Sequence, residues 1–260
     1  MARHHRGAVF LDRDGTLVRD MRNGADPAAL ELLAGVPAAL RALQQHGYRL
    51  VVVTNQSGVA RGLFSLAEAR AMGTRLAALL AAFGLRLDGY YLCPHHSEGV
   101  IAAHAAACGC RKPAPGLLRR AAADLELDLS RSWMVGDTPA DMAAGRAAGV
   151  RGILVDIGTV RQADVAADTS LARNLPHAAA MALIADGLAA TPPPARLAHP
   201  IARAELPACR VPQLRAFGEP SAWPDEPWAQ RAAADARLLA WWCSAPRPPL
   251  RVRHRDQPRR

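Results

Sequence analysis

Apolar positions in the first 156 residues fall into short runs that break abruptly at polar ones. Ala8 to Leu11 is a four-residue apolar run, which reads as a buried strand, and it stops at Asp12. Val18 to Leu33 mixes acids, glycine and scattered apolar residues and reads as a loop. Pro37 to Gln45 has helical composition and stops at His46-Gly47. Arg49 to Val53 is a β-branched run ending in Thr54-Asn55-Gln56-Ser57-Gly58. Ser65 is placed to cap an Ala/Leu-rich helix reaching about Phe83, with Glu68 at the capping-box position. Tyr90 to Cys93 is a third strand, and a loop bearing cysteine and histidine runs from Cys93 to Lys112. Pro115 to Leu125 is an amphipathic helix, Trp133 to Val135 a strand, Asp141 to Ala148 a helix stopped by Gly149, and Gly152 to Val155 a fifth strand.

Strand and helix alternate throughout, which predicts an α/β fold: a doubly wound parallel sheet with both faces covered. Ligands in such folds sit beyond the carboxyl ends of the strands. The polar clusters Asp12–Thr16, Thr54–Ser57 and Gly136–Asp141 all fall at such ends. Three strands thus deliver polar side chains to one rim.

From about Ala189 the alternation fails. The remainder holds 13 of the 20 prolines and four of the five tryptophans, and Thr191-Pro192-Pro193-Pro194 reads as a linker. Ala229 to Trp242 has the pattern of one amphipathic helix. The expected division is an α/β unit over residues 1–188 and a weakly structured Pro/Arg/Trp-rich tail over 189–260.

The net charge of +9 points to nucleic acid or an acidic surface until it is located. Residues 1–186 hold 20 basic and 17 acidic side chains, and residues 187–260 hold 12 and 6, so most of the excess lies in the tail. The patterned region is nearly neutral, which argues against a nucleic-acid enzyme and against a DNA 3′-phosphatase in particular. Lys112 is the only lysine in a chain that otherwise uses arginine. Its retention suggests a task for a compact ammonium, such as reaching a phosphate. No apolar run is long enough to span a bilayer, and MARHHRGAVF lacks a signal-peptide core, so a cytoplasmic protein is expected. A monomer is expected as well.

Asp12 and Asp14 leave the first strand two residues apart, and Gly15 allows the chain to turn sharply behind them. Paired carboxylates suit phosphoryl transfer, a reaction slow enough without help to need rate factors up to ~10²¹. Asp12 is the candidate nucleophile, and Asp14 the acid that protonates the leaving oxygen and then activates water. Thr54 and the amide of Asn55 are candidates to hold the phosphoryl group, with Lys112 neutralising it. Asp137 completes an oxygen-only Mg²⁺ site with Asp12 and the backbone carbonyl of Asp14. Asp141, one helical turn later, reads as a residue that orients its neighbours.

Cys93, Cys108 and Cys110 cluster around the loop, and the odd total of five cysteines argues against a disulfide framework. Cys93-Pro94-His95, a gap of twelve, then Cys108-Gly109-Cys110 supplies three thiolates and an imidazole, which fits a closed tetrahedral zinc site. Such a site contributes on the order of 10 kcal/mol to folding. His96 and His104 are rival imidazoles.

These elements in this order resemble the haloacid dehalogenase superfamily of phosphatases. The carriers are DRDGT, TNQSG, Lys112 followed by Pro113, and GDTPAD, with the resemblance spanning roughly residues 7–186. VVVTNQSGVARG, YYLCPHHSEG, CGCRKPAPG and MVGDTPADM are most similar to the branch of that superfamily that acts on heptose bisphosphate and histidinol phosphate. The resemblance implies a Rossmann-type core, Mg²⁺, an aspartyl-phosphate intermediate and a zinc-stapled loop in place of a large cap domain. It selects His95 as the fourth zinc ligand. It adds Asp20, Gln56, Ser57 and Arg111 to the substrate-binding candidates. A sugar bisphosphate, foremost a heptose 1,7-bisphosphate, is the expected small-molecule partner. Histidinol phosphate or another sugar phosphate is the alternative. A zinc-bearing, nucleic-acid-associated protein is the competing reading from another class, and the Asp12/Asp14 pair speaks against it. The chain departs from the branch pattern at Met21-Arg22-Asn23 and at Thr138.

Overall fold

The computed structural model describes residues 7–21, 24–156 and 169–189. Six parallel strands form one sheet: β1 (Ala8–Leu11), β2 (Arg49–Asn55), β3 (Gly89–Cys93), β4 (Trp133–Gly136), β5 (Arg151–Val155) and β6 (Ser170–Ala172). Their order is β3-β2-β1-β4-β5-β6, so the direction of winding reverses beside β1. Sheets covered on both faces need strands that are apolar on both sides, and these are. Val9 and Leu11 point into one core while Ala8 and Phe10 point into the other. Leu50 and Val52 against Val51 and Val53, and Trp133 and Val135 against Met134, repeat the alternation. Every side chain of β1 is fully buried, and removing one as large as Phe10 costs about 3–5 kcal/mol.

Helices α1 (Val36–Gln45), α2 (Leu66–Ala81) and α5 (Leu175–Ala185) cover one face, and α3 (Gly116–Leu125) and α4 (Pro139–Ala148) the other. The predicted capping box is present: the Glu68 amide donates to Ser65 Oγ at 3.1 Å, and the Ser65 amide donates to Glu68 Oε2 at 2.7 Å. α4 starts two residues before the expected Asp141, because Pro139 takes a first-turn position where its missing N–H costs nothing.

Two differences from the sequence reading have physical causes. The sheet has a sixth strand, β6, followed by α5, where no element was expected. β6 is three residues long, too short to show a period. α5 (LPHAAAMALIA) is apolar nearly all round and packs between α1 and the sheet, so it has no amphipathic stripe to detect. The stretch from Val18 to Leu33 is not an unanchored loop. Leu17, Val18 and Leu30 are buried, Val18 bridges to both Asp14 and Leu32, and a 3₁₀ turn spans Pro27–Ala29. The reading of Ala229–Trp242 as a helix lies outside the described residues, as do Arg22 and Asn23.

The carboxylate of Asp186 ties α5 to the lower edge of the sheet. It accepts hydrogen bonds from the Tyr48 hydroxyl, from Trp133 Nε1 at 3.2 Å, and from Arg151 Nη1 and Nη2 at 2.5 and 3.1 Å. Burial works to raise its pKa, but Arg151, Tyr48 and Trp133 outweigh that and lower it. A carboxyl held below its unfolded value stabilises the fold above the ordinary carboxylate range and loses that contribution as pH falls through the folded pKa. Asp186→Ala should therefore cost about 1–3 kcal/mol in urea unfolding at neutral pH. The gap between variant and wild type should close below about pH 4. A gap that persists undiminished at low pH would count against the charge-assisted clasp.

Candidate active site

The reversal of winding between β1 and β4 opens a crevice at the carboxyl ends of the strands. Asp12 leaves β1 there, its amide donating to the Val135 carbonyl of β4 at 2.9 Å. Asp137 follows β4, and Asp141 stands in the first turn of α4. One carboxylate oxygen from each of Asp12, Asp137 and Asp141 lies within 4.8 Å of the others. Two glycines make this crowding possible. Gly15 has φ of 76°, and a Cβ there would sit 2.2 Å from Asp137 Oδ2. A Cβ on Gly136 would sit 2.4 Å from Asp141 Cγ.

Lys112 enters this cluster from the cysteine-bearing loop. Its Nζ lies 2.6 Å from Asp12 Oδ1, 2.5 Å from Asp141 Oδ1 and 2.8 Å from the Val53 carbonyl. One ammonium faces three carboxylates, so the cluster keeps excess negative charge. Burial, then Asp141 and Asp137, push the pKa of Asp12 up, against the pull of Lys112. Burial and Asp141 push Asp137 up in the same way. Burial alone would lower Lys112, but Asp12 and Asp141 hold it protonated. Asp137 Oδ1 is buried with no hydrogen-bond partner among the described residues. Hard oxygen donors, surplus negative charge and an unpartnered buried oxygen together fit a divalent cation such as Mg²⁺.

The side chain of Asp14 stands apart from this cluster. Arg13 grips it with Nε–Oδ2 at 3.1 Å, Nη2–Oδ1 at 3.0 Å and Nη2–Oδ2 at 2.8 Å. Gln56 Nε2 donates to the same Oδ2 at 3.0 Å and to Thr54 Oγ1 at 2.8 Å, while its Oε1 accepts from Arg13 Nη2 at 3.1 Å. Tyr90 on β3 holds Arg13 from the other side, its hydroxyl accepting from Nη1 at 3.3 Å.

The four predicted zinc ligands converge. Cys93 Sγ lies 3.1 Å from Cys110 Sγ and 3.6 Å from Cys108 Sγ, and Cys108 and Cys110 are 3.2 Å apart. His95 Nδ1 is 3.3 Å from Cys110 Sγ and 3.7 Å from Cys93 Sγ. These separations are far longer than a disulfide bond of about 2.05 Å. They match thiolates gathered around one soft ion, and the donor set fits zinc. Neither rival imidazole joins them: His96 Nε2 lies 3.2 Å from Arg61, and the His104 ring sits edge-on to His95 at 5.7 Å. The loop is fastened to β2 by Asn55, whose Oδ1 accepts from the Lys112 amide and whose Nδ2 donates to the Lys112 carbonyl, each at 3.0 Å.

Asp12, Thr54, Asn55, Gln56, Lys112 and Asp137 therefore share one rim, with Thr54 and Gln56 buried and turned inward. Ser57 and Arg111 are half-buried at its edge, and Arg111 donates to the His95 carbonyl at 3.4 Å. Asp20 is exposed and outside the carboxylate cluster. Asp141 pairs with Lys112 and accepts from the Thr138 amide and hydroxyl at 3.0 and 2.6 Å. Its oxygens also lie among the potential cation ligands, which the sequence reading did not anticipate. Thr138 thereby spends its hydroxyl on fixing Asp141. Arg13 and Tyr90 are the residues that reading missed. Their contacts join residues 43 and 77 positions apart, which the sequence does not display.

A profile for haloacid dehalogenase-like hydrolases matches residues 21–149, and a related hydrolase profile matches residues 109–190. The chain belongs to this family, and it is a phosphatase. Among its relatives is D-glycero-beta-D-manno-heptose-1,7-bisphosphate 7-phosphatase of Salmonella typhi, 46% identical over 143 residues, which are 55% of this chain and 76% of that protein. The enzyme of the same name from Rhodopseudomonas palustris is 40% identical over 147 residues, 56% of this chain and 82% of the relative. The crystal structure of D,D-heptose 1,7-bisphosphate phosphatase from B. bronchiseptica, complexed with magnesium and phosphate, superposes with a TM-score of 0.61 at 32% identity. That superposition covers 69% of this chain and 99% of the other. No helix among the described residues is long and apolar enough to cross a membrane.

The Asn55 clamp is open to test. Asn55→Ala removes both hydrogen bonds to the Lys112 backbone and should destabilise the protein by about 1–3 kcal/mol. Amide hydrogen exchange at Lys112 should quicken more than that of the β1 amides. Unchanged exchange at Lys112 would show that the cysteine cluster alone holds the loop.

Proposed function

We propose that the protein hydrolyses a sugar bisphosphate, foremost D-glycero-D-manno-heptose 1,7-bisphosphate, at its primary phosphate. The observation that carries this reading is the convergence of Asp12, Asp137, Asp141 and Lys112 in one crevice with Asp14 beside it. The names of the relatives supply the sugar. In the first step a carboxylate oxygen of Asp12 attacks phosphorus, the bond from phosphorus to the sugar oxygen breaks, and Asp14 delivers a proton to that oxygen. In the second, Asp14 takes a proton from water as the water oxygen attacks phosphorus, and the bond to Asp12 breaks. Thr54, the Asn55 amide, Ser57 and Lys112 hold the phosphoryl oxygens, with Gln56 supporting Thr54. Asp20 and Arg111 contact the rest of the sugar phosphate. Mg²⁺ bound by Asp12, Asp137 and the Asp14 carbonyl, with Asp141 in reach, would neutralise charge on the transferring group. Zinc on Cys93, His95, Cys108 and Cys110 would be structural, since four protein ligands leave no open position. We assign this chemistry to residues 1–188 and none of it to residues 189–260.

Turnover of heptose 1,7-bisphosphate, histidinol phosphate and a 3′-phosphorylated oligonucleotide should rank in that order in kcat/KM. A preference for histidinol phosphate would overturn the sugar assignment, and a preference for the oligonucleotide would overturn the metabolite class. Asp12→Asn should abolish turnover on all three with the fold intact, because an amide oxygen cannot take its place as nucleophile. Residual kcat within tenfold of wild type would refute the nucleophile assignment.

For the cysteine cluster, purified protein should carry one zinc per chain. Cys108→Ser should lose the metal, lower the melting temperature and raise KM, with activity recovered at high substrate and magnesium. Turnover that vanishes at any substrate level in the zinc-free but folded variant would make the zinc catalytic instead.

A further inference from the structure

We infer that Arg13 is a positioning residue for Asp14, holding the acid–base carboxylate at a fixed bearing beside the crevice. The inference rests on the proposed reading of Asp14 as the acid–base group. Among the described residues Arg13 is the largest fully buried side chain, with 2% of its surface exposed, although no apolar role calls for an arginine there. A buried guanidinium costs several kcal/mol in lost hydration unless its donors are met. Here they are met almost entirely by the site. Nε and Nη2 make three contacts with Asp14 between 2.8 and 3.1 Å, Nη2 also reaches Gln56 Oε1 at 3.1 Å, and Nη1 meets the Tyr90 hydroxyl at 3.3 Å.

The consequence for Asp14 is geometric. Its side chain retains 23% exposure, so packing alone does not fix it. The rigid fork of a guanidinium does, because two parallel contacts define both the position and the plane of a carboxylate. Gln56 closes the frame: its amide donates to Asp14 Oδ2 and Thr54 Oγ1 while its carbonyl accepts from Arg13. Residues from β1, β2 and β3 thus act on one carboxylate. The Arg13 side chain hydrogen-bonds to Asp14, Gln56 and Tyr90 and to neither the Asp12 nor the Lys112 side chain, so its influence on the reaction runs through Asp14. A group that misses its proton acceptor by about 1 Å loses on the order of 10²-fold in rate.

The test uses Arg13→Lys in the full chain, which keeps the buried charge but replaces the fork with a single point donor. Single-turnover rates of the first step, release of the leaving group, are measured on a sugar phosphate, whose alkoxide needs a proton to leave, and on 4-nitrophenyl phosphate, which leaves with little help. The second step needs Asp14 for both substrates and is kept out of the comparison. We expect this first-step rate on the sugar phosphate to fall by about 10- to 100-fold. On the nitrophenyl ester it should fall by less than about threefold. In an Asp14→Asn background the same substitution should cost nothing further on the sugar phosphate. Equal losses on the two substrates, or a loss that persists in the Asp14→Asn background, would overturn the positioning role and leave Arg13 as a structural ion pair. If Asp14→Asn by itself slows both substrates equally, the acid–base reading of Asp14 fails, which is a separate outcome. Should Arg13→Lys not fold, Tyr90→Phe removes only the hydroxyl that steadies Nη1. It should reproduce the selective loss at a few-fold scale, and no selectivity there would overturn the inference.

Discussion

Lys112 lies between Asp12 and Asp141 with its ammonium also on the Val53 carbonyl, and much else follows from the need to keep it there. Three carboxylates within a few ångströms, those of Asp12 and Asp141 buried and that of Asp137 half-buried, repel one another strongly at the low dielectric of a protein interior. A single cation on the axis between two of them makes the cluster tolerable while leaving it short of positive charge. A guanidinium is planar and would spread its donors over a wider arc, whereas an ammonium of small radius fits between two facing acids. That is a physical reason for one lysine in a chain whose other cations are arginines. It also explains why the loop bearing Lys112 is fastened twice, by Asn55 at one end and by the thiol and imidazole cluster at the other.

The two cations of the site divide the work by shape. The point charge of Lys112 serves the cluster where charge must be balanced from several sides. The fork of Arg13 serves a carboxylate whose orientation matters. Both are buried, and each is surrounded by the acids or amides that meet its donors, so neither sits as an uncompensated charge. Thr138, at a position where the chain departs from the branch pattern, belongs to the same economy, since its hydroxyl and amide turn Asp141 toward Lys112.

Much of the site could be read from residues alone because its parts stand at strand ends, where a run of apolar residues breaks into polar ones. Asp12 after Leu11, Thr54 after Val53 and Asp137 after Gly136 are visible in that way, and so is the spacing of Cys93, His95, Cys108 and Cys110. Five of the six strands announce themselves by composition. α5 was invisible because a helix buried on all sides carries no polar stripe, and β6 because three residues are too few to show alternation. Arg13 was passed over for a different reason. Its role depends on contacts with Gln56 and Tyr90, 43 and 77 residues away, and no local pattern encodes them.

The strand order has a bearing on how the chain comes to be built. Of the six strands of the sheet β1 comes first in sequence, and it lies in the interior with β2 on one side and β4 on the other. Synthesis runs from the amino terminus, so β1, β2 and β3 exist before β4. Until residue 133 and its successors are available, the edge of β1 that will receive β4 has no partner, and an open apolar edge is a template for unwanted pairing. Over that same interval Asp12 has neither Asp137 nor Asp141 beside it. The carboxylates that repel one another in the finished site are joined by pairings more than 120 residues apart in sequence, of the kind that form slowly. The repulsion among these carboxylates is thus imposed only when the strand that seals the open edge of β1 arrives.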